Sequence, residues 1–119
     1  MEMPKPTADD VEAFKALIIE HPDVTVRPMF GNMAAFVHGN MFAGLFGSAL
    51  GVKLPDAARR EELLTVPGTG PYGPPERPMG GFVALPADWH EQTQLAETWI
   101  EEARTQVAKL PPKKPKSKR

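Results

Sequence analysis

The sequence predicts an α+β fold, a two-layer arrangement in which helices pack on an antiparallel sheet. Three observations carry that reading. The middle of the chain is cut into short apolar runs by tight-turn residues. Segments with helical spacing of apolar residues stand before, between and after those runs. Strands grouped between helices, rather than alternating singly with them, fit an antiparallel sheet and not a parallel βαβ fold. At 119 residues the chain suits one domain with one core. That domain is expected over residues 1–110, followed by a tail at 111–119.

Residues 7–21 read as the first helix. Thr7 is placed to cap it, and Asp10 completes a capping box three residues on. Val11, Phe14, Leu17, Ile18 and His21 fall on one face, and Pro22 stops the helix. In the following stretch, residues 33–37 pair with 41–46 across His38-Gly39-Asn40. Gly47-Ser48 puts Gly first in a two-residue turn, which suits type II′ and opens a second hairpin. Leu50, Val52 and Leu54 alternate with Ala49, Gly51 and Lys53, the pattern of a half-buried strand with Lys53 toward water. "MFAGLF", residues 41–46, is apolar on both faces. It reads as a central strand whose second face needs a cover, for which a second copy of the chain is one candidate.

Pro55-Asp56 opens a short helix to about Thr65, with Leu63 and Leu64 as its apolar contribution. Residues 66–78 hold Gly and Pro in a loop, and residues 79–86 read as a further strand. Asp88 and Glu91 form a second capping-box pattern. It predicts a long helix to about Leu110 that buries Trp89, Ala96, Trp99 or Ile100, Ala103 and Val107. The tail, "PPKKPKSKR", interleaves prolines with cations and is expected to be disordered.

Composition removes several function classes. The chain has no cysteine, so disulfides and thiolate chemistry are out. No apolar run approaches the roughly 20 residues that span a bilayer. The N-terminus lacks the basic and apolar regions of a secretory signal, so the cytoplasm is the expected location. The net charge of −1 hides an asymmetry. Residues 1–110 hold nine Lys/Arg against fifteen Asp/Glu, a net of −6, whereas the tail carries Lys113, Lys114, Lys116, Lys118 and Arg119 and no acid.

The motifs exclude more. "GTGPYG", residues 68–73, has Gly-x-Gly-x-x-Gly spacing, but a phosphate cradle follows a strand and opens a helix. Here a helix precedes and a strand follows, and Pro71, Pro74 and Pro75 lack the N–H groups that would hold a phosphate. Ser48 needs a base within hydrogen-bond reach to act as a nucleophile. His38 stands at the other end of the 41–46 strand, roughly 20 Å away. His90 is expected in the first turn of the last helix, as a surface residue that meets Ser48 only if the tertiary fold brings them together. His21, His38 and His90 lack metal-ligand spacing. The pairs Asp9-Asp10, Glu61-Glu62 and Glu101-Glu102 are adjacent on helices and diverge by about 100°. Met29, Met33, Met41 and Met79 read as adaptable packing. No catalytic residue, cofactor or metal site is therefore expected. Arg27, Lys53, Tyr72 and Arg77 are the candidate contacts of a cleft that takes an anion or a partner's carboxylate. The five tail cations are candidate phosphate contacts, whose binding to nucleic acid would be salt-sensitive.

"RPMFGNMAAFVHGNMFAGLF", residues 27–46, resembles the opening of the TfoX/Sxy N-terminal domain. Met29, Phe30 and Gly31 match its first motif, "LGVKLP" its next strand, Pro71 and Tyr72 its Pro-aromatic step, and Pro86 and Trp89 its strand-Pro-x-x-Trp segment. The resemblance spans roughly residues 10–108. It implies the order α-β-β-β-α-β-β-α, in a fold like that of secretion chaperones. It implies a non-enzymatic role in regulation or protein interaction, of the kind linked to natural competence, and supplies no catalytic residues. The chain ends in a basic tail where the competence regulators carry a helical second domain. The expected partner is another protein or a second copy of the chain. A small-ligand or anion-binding protein, and a nucleic-acid accessory protein acting through residues 111–119, are the alternatives.

Overall fold

Four strands run as one meander from Val24 to Lys53: β1 (Val24–Met29), β2 (Asn32–Val37), β3 (Asn40–Phe46) and β4 (Ala49–Lys53). A short β5 (Phe82–Ala84) completes the antiparallel sheet in the spatial order β1-β2-β3-β4-β5. Helix α1 (Ala8–Leu17) precedes the meander, α2 (Ala57–Leu64) follows it, and α3 (Thr93–Ala108) follows β5. The computed structural model describes residues 5–18, 22–29, 32–73, 76 and 80–111.

The turns form as their residues demand. His38 and Gly39 both have positive φ, 53° and 81°. That is the requirement of a type I′ turn, so the β2–β3 loop has two residues and Asn40 joins the strand. Gly47, at φ 61°, opens the turn from Phe46 to Ala49. The pairing of β2 with β3 slips once: Ala35 faces Ala43 but Phe36 faces Met41. Phe42 is the extra residue of this β-bulge, and the bulge aims it into the core beside Ala43.

Residues paired directly across strands share a face of the sheet. Ala35, Ala43, Leu45, Leu50, Val52 and Val83 lie on the face toward the helices and form one core with Phe14, Leu63, Trp89, Ile100 and Val107. Helix α3 crosses β2, β3 and β4, and α1 packs on α3. As β3 lies third of five, its doubly apolar sequence matches its central place.

Several boundaries differ from expectation. The meander has four strands before α2, and among the described residues one full strand, β5, follows it. Among the described residues 69–73, Gly70 joins the sheet by a single bridge to Ala84. The Thr7–Asp10 capping box is present, but α1 ends at Leu17. Ile18 is extended, at φ −85° and ψ 118°, and β-branched residues gain more from that conformation. His21 lies outside the described residues. In α2 only Leu63 enters the core, and Leu64 is 49% exposed. Helix α3 starts at Thr93, five residues past Asp88, and the Asp88 carboxylate accepts from the Gln92 side chain at 2.7 Å instead of capping. Four-residue turns occupy that interval: Trp89 N–H to Pro86 O, Glu91 N–H to Asp88 O and Gln92 N–H to Trp89 O. They leave Trp89 fully inside, its indole N–H donating to Ser48 O at 2.8 Å.

Candidate functional site

The far face of the sheet, away from the helices, carries small residues along its middle. One row crosses all five strands: Arg27, Ala34, Gly44, Gly51 and Ala84. Tyr72 lies on this row at 2% exposure. A Cβ on Gly51 would come within 2.3–2.6 Å of its ring, and one on Gly44 within 3.3 Å of its hydroxyl oxygen. At position 51 only glycine leaves room for the ring. Phe46 meets it edge-on at 6.4 Å, and Phe82 stacks on it at 5.4 Å. Burial pushes the phenol above its ordinary pKa, so it stays neutral. Part of the cover that β3 needs on its second face thus comes from its own chain.

Arg27 and Lys53 share this face, since Lys53 is two residues from Gly51 along β4. Three strand spacings, about 14 Å, separate the row position of Arg27 from β4. Arg27 is exposed, and its guanidinium sits 4.3 Å from the Phe36 ring centre. Lys53 is half-buried. Arg77 and the tail residues 113, 114, 116, 118 and 119 lie outside the described residues. The described chain ends at Pro111, whose carbonyl accepts from Asn40 Nδ2 at 3.0 Å beside the β2–β3 turn.

A second constellation joins residues that sequence reasoning kept apart. Asp10, 5% exposed, accepts from Thr7 N–H at 3.0 Å and from Ser48 Oγ at 3.0 Å, both at Oδ2. Its Oδ1 meets His90 Nε2 at 2.7 Å. Burial raises the carboxyl's pKa, but the bonds from Thr7, His90 and Ser48 outweigh that and hold it below the usual carboxylate range. The ionised group only accepts, so the His90 proton sits on Nε2 and Nδ1 faces away from Asp10. His90 is therefore not in the first helical turn. It precedes α3, lies tilted by 33° against Trp89 with ring centres 4.0 Å apart, and is fixed by a buried charge.

This constellation is not a nucleophilic triad. The carboxylate stands between Ser48 and His90, and the serine hydroxyl gives its proton to Asp10 rather than to the imidazole. What it does is fasten α1, the β3–β4 turn and the segment before α3 to one another. Its members are 38 and 80 residues apart in sequence. The capping box was the single local sign of Asp10, and no local pattern announces the other two partners. Among the described residues no group of three His, Asp or Glu side chains is arranged to hold a metal ion. No helix among them is long and apolar enough to cross a membrane.

A five-stranded antiparallel meander, with helices on one face and a tyrosine laid on the other, defines a small α+β sheet domain. The chain belongs to the TfoX N-terminal domain family, whose model matches residues 13–107. No curated protein and no solved structure matches the chain.

Proposed function

We propose that the domain is a non-catalytic, cytoplasmic regulatory module that binds a protein partner along β1. The supporting observation is the difference between the sheet's two edges. At β5, Ala84 exchanges both backbone hydrogen bonds with Gly70, at 2.8 and 3.2 Å. At β1, no described residue bonds to the outer side. Antiparallel ladders alternate inward and outward backbone groups. Pro28, which has no N–H, fits an outward position, so Val24 and Val26 also present N–H and C=O outward. An incoming extended segment would bond to these groups and meet the exposed Arg27 with a carboxylate. Tyr72 and Lys53 would then serve as support and rim.

Capture from host extract with tagged protein tests this reading. Val26→Pro deletes one outward donor, at the same kind of position that Pro28 already occupies. A partner held by the wild type and lost by Val26→Pro and Arg27→Glu, with unchanged circular dichroism, is the expected result. Equal retention by all three proteins sinks the edge reading. The shared face of Arg27 and Lys53 favours a second reading, an anion site, for which phosphate titration followed at those two residues is the check.

A further inference from the structure

We propose that the cleft between α1 and the start of α3 binds a protonated alkylamine. The cleft holds about 250 Å³ and is independent of the sheet face and edge described above. Its walls are of two kinds. Ala13, Ala16 and Leu17 of α1 face Trp89, giving an apolar slot that is open because two of the α1 residues are alanines. His90, Thr93 and Glu97 supply the polar side.

The charge of that side selects the ligand. Glu97 is an exposed carboxylate. His90 is held by Asp10 through Nε2 at 2.7 Å, which fixes its ring at the cleft with Nδ1 turned away from Asp10. Thr93 adds a hydroxyl that also accepts. An ammonium group has three donors and no acceptor, matching this set. A carboxylate ligand would face Glu97, with the Asp10 charge behind the imidazole. The net −6 of residues 1–110 draws cations toward the body. The volume suits a short stem and not a drug-sized molecule. Both a free amine and a protein lysine present this chemistry.

The test uses full-length protein with 13C-labelled alanine methyls and 15N amides. n-Butylammonium, n-butanol and butyrate are titrated in parallel, with Nα-acetyl-lysine methylamide as a fourth probe. Butylammonium should saturably shift the Ala13 and Ala16 methyls and the Thr93 amide, while butyrate leaves them unmoved. Glu97→Gln should weaken the amine by about three- to fivefold, the size of an exposed ion pair. Ala16→Phe, which fills the slot from an exposed position, should abolish the response. Acetyl-lysine methylamide binding as well as butylammonium assigns the site to a protein lysine, and weaker binding assigns it to a free amine. Equal binding of amine, alcohol and butyrate overturns the proposal. So does an amine response indifferent to Glu97→Gln and Ala16→Phe while both variants keep the wild-type amide spectrum.

Discussion

The two faces of the sheet solve one problem differently. Both faces of β3 are apolar and both are kept from water. On the helix side many large side chains from three helices interlock, so each position is redundant in role but not in volume. On the far side one ring supplies part of the cover, and it fits because Gly51 lacks a side chain. The first face is a packed interior. The second is a plug in a trough, flanked by Phe46 and Phe82.

The largest expected effect tests that distinction directly. Leu50 is fully buried on the helix face, and Leu50→Ala should cost about 2–5 kcal/mol through lost transfer energy and an enclosed cavity. Tyr72→Ala removes a larger side chain but opens a trough that water can fill, so about 1–3 kcal/mol is expected. Urea unfolding of both variants gives the order. If Tyr72→Ala proves the costlier, the far face is a true second core.

Gly51→Ala comes next. Its methyl collides with the Tyr72 ring, and the overpacking should cost about 1–3 kcal/mol. The same change in a Tyr72→Ala background should be nearly neutral. A double-mutant cycle reads this as a coupling of similar size. Additive effects would mean that the glycine is needed by the backbone and not by the ring.

Asp10 fastens the helix layer to the sheet, and Asp10→Ala should cost about 1–3 kcal/mol by leaving its donors unpaired. The acid limb carries the sharper signature. The folded carboxyl titrates below its ordinary value of 3.8. Its contribution is therefore present above the unfolded pKa and disappears as pH falls through the lower folded one. Wild type should lose stability below about pH 5 more steeply than Asp10→Ala. Parallel acid limbs would show that other carboxylates carry the transition.

The parts of this architecture that were legible in the sequence are those set by neighbours in the chain. The Thr7–Asp10 box, the two glycine turns and the buried face of α3 each depend on residues within one or two turns. The bulge at Phe42 was not legible, because apolar residues on both faces of β3 hide a change of side. The late start of α3 was hidden by a capping pattern at Asp88–Glu91. Trp89 overrides it by reaching Ser48 O from a non-helical turn. The Tyr72 trough and the Asp10–Ser48–His90 clip are tertiary events. Tyr72 stood out as the chain's sole tyrosine, yet nothing in its surroundings said that two glycines 21 and 28 residues earlier were its seat.

The smallest predicted effect concerns the boundary between the plugged trough and the open β1 edge. Arg27 is exposed and covers the Phe36 ring at 4.3 Å. A cation–π contact of this exposed kind contributes about 0.5–1 kcal/mol, and Arg27→Ala should cost no more than that. Arg27→Lys should recover little of it, since an ammonium lacks the flat surface that lies on a ring. Phe36 is 9% exposed with the guanidinium in place. Its uncovering in Arg27→Ala should show as increased binding of a hydrophobic dye without loss of cooperative unfolding. An Arg27→Ala protein that loses several kcal/mol would place Arg27 inside the fold's own packing. A loss within the expected range leaves the guanidinium free to leave Phe36 for a partner's carboxylate at little cost to the fold.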